Sequence, residues 1–444
     1  MTETGGLVRA LLVAAALLLS AGVASAQPLD IPATWGGTLL DRPRLTGDWF
    51  GLRDEMGKKG IVLDLDFLGT PQGVLTGGRE TEAQFWGNAE YTLNVDTQKL
   101  GLWPGGFFNG QAISGFGDTV TRAAGARVPV NFANLLPVPN QDQTALMNLT
   151  FTQFLSKSFG LTAGKIYTFP GGDVNDFAHD YHSTFLNTAL LLNTTLAFVP
   201  FSAYGGGLII VPWDGSVVSV IALDPSGSPT NNDISEAFRD GVLLNGQARV
   251  TIKPFGLVGH QLVGFIWSDK ERRSLEQDPA NLARALVLHA PLQPLNTVNY
   301  TWSIYYNFDQ YLWSPQGRPD QGIGIFFRFG ASDGVANPIK YAFSAGISGN
   351  GIVPGRPRDT FGLGWARTQF SDNLLPVLRE RTDIGLDKED AFEMYYNASL
   401  TGWLTATLDL QVIDPAQKKV LDSPGRLKNV DTSVVAGLRL YMRF

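Results

Sequence analysis

The end of the chain leaves its backbone one option. Val434, Ala436, Leu438, Leu440, Met442 and Phe444 alternate with Val435, Gly437, Arg439, Tyr441 and Arg443. Period two sends successive side chains to opposite faces of a sheet, so one face of this strand is apolar throughout and the other carries two arginines. Such a strand needs partners with the same two-sidedness.

Those partners recur upstream. Ile61, Leu63, Leu65 and Phe67 alternate with Val62, Asp64 and Asp66, and Ala89, Tyr91, Leu93 and Val95 oppose Asn88, Glu90, Thr92, Asn94 and Asp96. Ala248, Val250 and Ile252 oppose Gln247, Arg249, Thr251 and Lys253, while Trp302, Ile304, Tyr306 and Phe308 oppose Ser303, Tyr305, Asn307 and Asp309. Phe392, Met394 and Tyr396 oppose Glu393, Tyr395 and Asn397, and Leu404 to Val412 repeats the pattern against Thr405, Thr407, Asp409 and Gln411. One face wants lipid or a core, and the other wants water.

The other end of the chain says where it goes. An apolar run from Ala10 to Leu19 follows a single basic residue, Arg9, and leads to Ala24-Ser25-Ala26 before Gln27. This reads as a secretory signal peptide over residues 1–26, too short to span roughly 30 Å of hydrocarbon. No later uncharged apolar stretch is long enough for a spanning helix, so a polytopic helical protein is excluded. The net charge of −7 leaves no electrostatic case for nucleic acid, and the absence of cysteine removes disulfides and thiol chemistry.

A half-exposed strand of a soluble sandwich would show the same alternation. Two features favour a barrel: the apolar faces are rich in Trp, Tyr and Phe, as membrane-interface girdles are, and the chain joins a signal peptide to a terminal aromatic residue. An ending such as Phe444 resembles the last strand of bacterial outer-membrane barrels, which the outer-membrane assembly machinery recognises. The expected architecture is an all-β transmembrane antiparallel barrel over residues 61–444.

Residues 27–60 form a separate opening segment. Trp49, Leu52 and Met56 fall on one helical face, acids come early, lysines come late, and Gly60 offers a terminating residue, which together predict a short amphipathic helix. Counting back from a periplasmic C-terminus, 414–432 and 371–390 are external, and 399–402 and 349–359 are periplasmic turns. Long irregular stretches at 121–143, 223–241 and 269–294 are candidates to fold into the lumen.

Several stretches then carry a resemblance: Leu45-Thr46-Gly47-Asp48-Trp49-Phe50-Gly51-Leu52-Arg53, Gly164-Lys165, Phe185-Leu186-Asn187-Thr188-Ala189, and Gln321-Gly322-Ile323-Gly324-Ile325-Phe326. Further along stand Gly351-Ile352-Val353-Pro354-Gly355-Arg356-Pro357 with Asp359, Gly362 and Gly364, then Leu408-Asp409-Leu410-Gln411, Asp414-Pro415 and Ala436-Gly437-Leu438-Arg439. In order and spacing these are similar to the carbohydrate-selective porins of Gram-negative outer membranes, the OprB-like family, with Phe50 where Gly is commoner. The resemblance implies sixteen strands, a lumen narrowed by inward loops, an early helix on the periplasmic side, and passive diffusion of glucose and similar monosaccharides or polyols.

A sugar presents hydroxyls at its edge and C–H groups on its faces, so a selective path needs polar partners and aromatic surfaces in shallow sites. Alternation supplies a lining of both signs: Asp64, Asp66, Glu90, Asp96 and Glu393 against Arg249, Lys253, Arg328, Arg439 and Arg443. Candidate constriction residues are Arg79 beside Trp86, and Lys165, Asp173 and Asp176 around Pro170-Gly171-Gly172. Trp213 and Trp365 offer stacking surfaces, with lipid-facing girdle positions as their alternative. The alternative for every charge is a salt bridge that merely hydrates the wall.

His179 and His182, with Asp176 and Asp180, would gather metal ligands if that stretch turns, but with four histidines in the chain no metal is assigned. No cofactor is called for, and no local signature joins Ser, His and acid as an enzyme would require. Outer-membrane lipids, the assembly machinery and small neutral carbohydrates are the expected partners, with monomer and trimer both open. The competing function is a general or weakly ion-selective diffusion porin of the same fold.

Overall fold

The computed structural model describes residues 31–278, 280, 294–374, 385–421 and 426–444; the expected signal peptide lies outside them. Sixteen strands close one antiparallel barrel. In chain order they are β1 (Ile61–Gly78), β2 (Ala83–Asp96), β3 (Gly106–Gly117), β4 (Gln143–Ser156), β5 (Phe159–Tyr167), β6 (Ser202–Ile210), β7 (Val217–Leu223) and β8 (Leu243–Ile252). Then follow β9 (Gly259–Ser268), β10 (Thr301–Trp313), β11 (Gly322–Ser332), β12 (Ile339–Asn350), β13 (Thr360–Phe370), β14 (Lys388–Ser399), β15 (Leu404–Asp414) and β16 (Asp431–Arg443). Each pairs with its neighbour in sequence, and β1 pairs with β16 to close the ring.

An even strand number brings both termini to one rim. The turns on that rim are short, 157–158 between β4 and β5 and 400–403 between β14 and β15, whereas the opposite rim carries 118–142, 168–201 and 224–242. Short periplasmic turns and long extracellular loops are the rule for outer-membrane barrels, which assigns the terminal rim to the periplasm. The described parts of the expected external stretches 371–390 and 414–432, and the expected turns 349–359 and 399–402, fall on those sides; residues 375–384 and 422–425, and most of the expected inward stretch 269–294, lie outside the described residues.

Alternation behaves as the sequence requires. In β10, Ile304 is 45% exposed on the outer wall while Tyr305 is 2% exposed inside, and in β16 Leu438 faces out while Arg439 is buried within. Sheet register carries this parity from strand to strand, because directly paired residues share a face.

The expected helix forms as α1 (Leu52–Lys58), and Gly60 just beyond it has φ +77, where a Cβ would sit 2.9 Å from the Asp96 carbonyl oxygen. Arg53 of α1 is buried. It donates to the Phe444 carbonyl at 3.0 Å, to the Leu63 carbonyl at 2.7 Å and to Asp64 at 2.6 Å, and it lies over the Trp49 ring at 4.8 Å. The segment therefore docks on the periplasmic rim, where the barrel closes.

The buried apolar cluster lies inside the barrel. Phe132 from loop 118–142 meets Phe169 of loop 168–201 at 4.2 Å between ring centroids, and Phe185 packs on Tyr395 of β14 at 4.8 Å and Phe326 of β11 at 5.4 Å. Gly362 and Gly364 of β13 make room for it: a Cβ at either would stand 2.9–3.0 Å from the Phe185 ring. Loop 168–201, which includes the one-turn helix α2 (Thr188–Leu191), thus fills much of the lumen. It was not among the stretches expected to fold inward, although a turn at Pro170-Gly171-Gly172 was expected within it.

One expected inward loop goes elsewhere. Loop 224–242 folds back over the outer wall, where the Tyr204 hydroxyl donates to the Asn232 carbonyl at 2.7 Å.

Candidate functional site

The expected site residues divide by what the two inward loops do to them. Loop 168–201 is held by charged groups from four parts of the wall. Glu393 of β14 accepts the Leu186 amide at 2.6 Å and the Asn187 amide at 2.9 Å, and Asn187 in turn donates to Gln411 of β15 at 3.0 Å and caps α2 through the Ala189 amide. Arg439 of β16 donates to the carbonyls of Tyr181 at 2.8 Å and Thr184 at 2.7 Å. Arg328 of β11 donates to Asp173 at 3.0 Å and to the carbonyls of Leu190 and Ala178. Glu90 of β2 accepts from the Tyr181 hydroxyl at 2.6 Å and from His182 Nε2 at 2.9 Å.

These groups are buried, so most of their energy goes into fixing the loop. A buried carboxylate that accepts two backbone amides satisfies donors that would otherwise be costly in the interior. Trp86 belongs with them. It faces inward but is 2% exposed under loop 118–142, donating to the Ala133 carbonyl at 3.0 Å.

The two histidines expected as a possible metal pair are separated. His179 is stacked on Phe169 at 4.3 Å between two backbone carbonyls, and burial beside Arg328 pushes it down to about 4. His182 bridges Glu90 and Asp180, each 2.9 Å from a different ring nitrogen. Burial opposes its charge, yet Glu90 and Asp180 outweigh that and hold the imidazolium up to about 10.

A second set of charges reaches water through one member, Asp176. The side chain of Asp176 is 41% exposed, and it pairs with Arg249 of β8 and lies 3.3 Å from His260 Nδ1 of β9. Asp309 of β10 completes the group, 2.6 Å from the same His260 nitrogen, and accepts the Asp176 amide at 3.2 Å. Asp176, His260 and Asp309 form a compact trio, with the Arg249 guanidinium supplying the positive charge. Sequence parity placed Asp309 and Arg249 inside; sheet register sets His260 opposite Asp309, and only the loop's path could bring Asp176 to them.

The rest of the periplasmic half of the lumen is lined by amides and hydroxyls. Asn109 donates to Asn94 at 2.5 Å, and Thr152 bonds Thr162 at 2.9 Å across β4 and β5. Arg44 joins Asp64 at 2.9 Å and Asp66 at 2.7 Å at the rim. On the external side a cavity of about 410 Å³ lies between the two inward loops and the wall, lined by Arg127, Leu135, Phe169, Phe201, Asn245 and Tyr305 among others. Arg79 stands at this mouth beside Arg122 and Arg127, donating to Gln417 at 3.2 Å, and burial together with those arginines lowers its pKa.

Five expected positions lie elsewhere than the water path, Trp365 among them at the lipid-facing alternative named for it. Lys165 points out of the barrel: its register partners Leu149 and Tyr204 are on the outer face, and its ammonium donates to the Pro229 and Asn231 carbonyls at 2.9 Å and to Asn232 at 2.6 Å. Trp213 lies 54% exposed in the periplasmic turn between β6 and β7, away from the lumen. Trp365 faces outward, donating to Asp390 at 3.0 Å with Arg367 stacked on it at 5.5 Å. Asp173 is inside but only 1% exposed, sealed against Arg328. Lys253, also expected in the lining, sits in the periplasmic turn after β8.

Comparison with known proteins agrees with this geometry. Residues 82–444 match the family described as carbohydrate-selective porin, OprB family. Porin B of Pseudomonas aeruginosa is 22% identical over 452 aligned residues, covering 90% of this chain and 91% of that protein. The high-pH structure of Pseudomonas putida OprB superposes with a TM-score of 0.76 at 22% identity, covering 92% of this chain and all of that one. The low-pH structure of the same protein gives a TM-score of 0.55 at 17% identity over 91% of this chain and 99% of that one. With its closed sixteen-stranded barrel, its inward loops and a family match over most of its length, this chain belongs to the carbohydrate-selective porins of the OprB family, which are channels of the Gram-negative outer membrane.

Proposed function

We propose that this porin passes small neutral carbohydrates, glucose-sized monosaccharides and polyols, through a lumen whose width is set by loop 168–201. The observation that carries the reading is the latching of that loop by Glu90, Arg328, Glu393 and Arg439, which turns a wide barrel into a narrow one of fixed shape. A passage between a clamped loop and a wall of Asn, Gln and Thr gives a sugar hydroxyl partners in exchange for its water. Arg249 beside Asp176 and Asp309 sets both signs of charge next to the path, which suits a neutral hydrogen-bonding solute better than an ion of either sign.

In this reading the external cavity receives the solute first. Half-buried Phe201 in its lining suits the C–H face of a pyranose, and Arg127 and Asn245 suit its edge. Weak contacts in series permit release, whereas tight binding would stop conduction. The terminal strand, whose last carbonyl holds Arg53, is the element we assign to recognition by the assembly machinery.

Liposome swelling with the purified mature protein tests this. Glucose is expected to pass faster than a disaccharide and faster than a size-matched charged solute, at low and high salt alike. Rates ordered by charge alone would replace the reading with an ion-selective pore, and equal rates for mono- and disaccharide would replace it with general diffusion.

A further inference from the structure

The external mouth carries positive charge that the chain leaves without a counter-ion. Arg79, just beyond β1, and Arg127 of loop 118–142 both donate to one neutral acceptor, the side-chain carbonyl of Gln417, Arg79 at 3.2 Å. Burial, then the charges of Arg127 and Arg122, lower the Arg79 pKa, and Lys428 adds a further cation by donating to the Arg79 carbonyl at 2.6 Å. Among the described residues no carboxylate forms an ion pair with Arg79, Arg122 or Arg127. The buried Glu389 carboxylate is occupied by the Arg127 and Val128 amides at 2.8 and 2.9 Å, and Glu80 near Arg79 is exposed, where water screens it. Two guanidiniums that converge on one carbonyl repel each other, and a shared anion relieves that repulsion.

Behind the arginines the chemistry changes. The cavity of about 410 Å³ that Arg127 borders is walled mainly by apolar side chains, with Leu135, Leu196, Val199, Pro200 and Phe201 half-buried. Its threonines already have partners: Thr168 donates to the Pro200 carbonyl at 2.7 Å, and Thr194 bonds Thr368 at 3.0 Å. A mostly apolar pocket with a few fixed polar groups is the usual form of a small-molecule site. A hexose matches Arg127 and Asn245 but needs neither the charge nor so much apolar wall. A small inorganic anion needs the charge and leaves the wall empty.

We propose that this cavity and its arginines bind an aromatic carboxylate, a benzoate-sized anion whose ring enters the cavity and whose carboxylate lies between Arg79 and Arg127. The carboxylate takes charge-assisted hydrogen bonds from both guanidiniums, and the ring meets Phe201 and the aliphatic side chains beside it. A rigid ring loses little conformational freedom on binding. Its occupancy obstructs the external mouth, so binding is read as a block of current.

Recording from the purified protein in planar bilayers at neutral pH tests this, with benzoate, acetate and benzyl alcohol as probes. Acetate has the charge without the ring, and benzyl alcohol has the ring without the charge. Benzoate on the external side should reach half-block at a concentration at least about tenfold below either. Arg79→Gln and Arg127→Gln should each raise the benzoate half-block about tenfold. Arg318→Gln, which removes the same charge from the exposed periplasmic turn between β10 and β11, should leave it unchanged. Heat-modifiable mobility establishes that each variant is a folded barrel. Acetate as potent as benzoate would reduce the site to a charged mouth, and benzyl alcohol as potent would reduce it to an apolar one. Either result overturns the proposal, as does a benzoate block that both arginine substitutions leave in place.

Discussion

Asp173 and Asp176 stand three residues apart in the same loop, yet Asp173 is 1% exposed against Arg328 whereas the side chain of Asp176 is 41% exposed against Arg249. Both pairs join the loop to the wall and both satisfy a carboxylate with a guanidinium. What differs is water. The first pair, with Asn307 and the Asn193 amide also on Asp173, is a closed joint whose removal strands a buried charge. The second borders the passage, where solvent screens it and a passing hydroxyl can exchange with it. Charge inside a porin thus has two uses, and burial under the loop separates them.

The largest expected effect breaks the closed joint. Arg328→Leu leaves Asp173 buried without its counter-ion, at a cost of about 3–5 kcal/mol. That releases the loop before it unfolds the barrel, because the strand ladders are untouched. The expected readouts are new protease cleavage within 168–201 and faster swelling with a disaccharide.

Protonation should reach the same loop from two sides. His179 is held neutral with its pKa down at about 4, so its contribution is present above the ordinary histidine value near 6.5 and is lost as pH falls towards 4, on the order of 3 kcal/mol in all. His182 is the reverse. Its pKa is raised to about 10, so the latch it makes with Glu90 and Asp180 is fully present below about 6.5 and weakens as pH rises through 10. Amide protection in 168–201, taken relative to the intrinsic exchange rate at each pH, should therefore be greatest near neutrality and fall on both sides, and His182→Gln should abolish the alkaline fall alone.

A packing change sharpens the contrast without touching charge. At Gly364 an added methyl would meet Leu190 at 2.7 Å and the Phe185 ring at 3.0 Å, so Gly364→Ala should cost about 1–3 kcal/mol by overpacking, seen as a lower temperature for loop exposure. The smallest stability effect belongs to the open pair. Arg249→Gln and Asp176→Asn should each change stability by less than about 1 kcal/mol, yet move the reversal potential in a salt gradient in opposite directions.

Much of this was legible in the chain. Alternation at 61–67, 89–95, 302–308, 392–398 and 434–444 placed inward and outward faces correctly, because period two is local and lipid enforces it. Residues that carry the family resemblance, Phe185 to Ala189, Gly362, Gly364 and Arg439, prove to be parts of the joint between loop and wall. Their order was visible and their meeting was not, since contacts such as Leu186 to Glu393 join residues 207 positions apart. Lys165 and Trp213 were misplaced for related reasons. A lysine on an outer face is acceptable only where a loop covers it, and a tryptophan in a rim turn has no parity to read.

The most direct measurement is cysteine accessibility in a chain that has none of its own. Asp176→Cys and Leu190→Cys, the latter at a fully buried position of the same loop, are exposed to a charged methanethiosulfonate while single-channel current is recorded. If a clamped loop with one wet edge forms the passage, Asp176→Cys reacts within the recording, the current drops, and glucose slows the reaction, while Leu190→Cys stays inert. Reaction at both positions, or at neither, would contradict it.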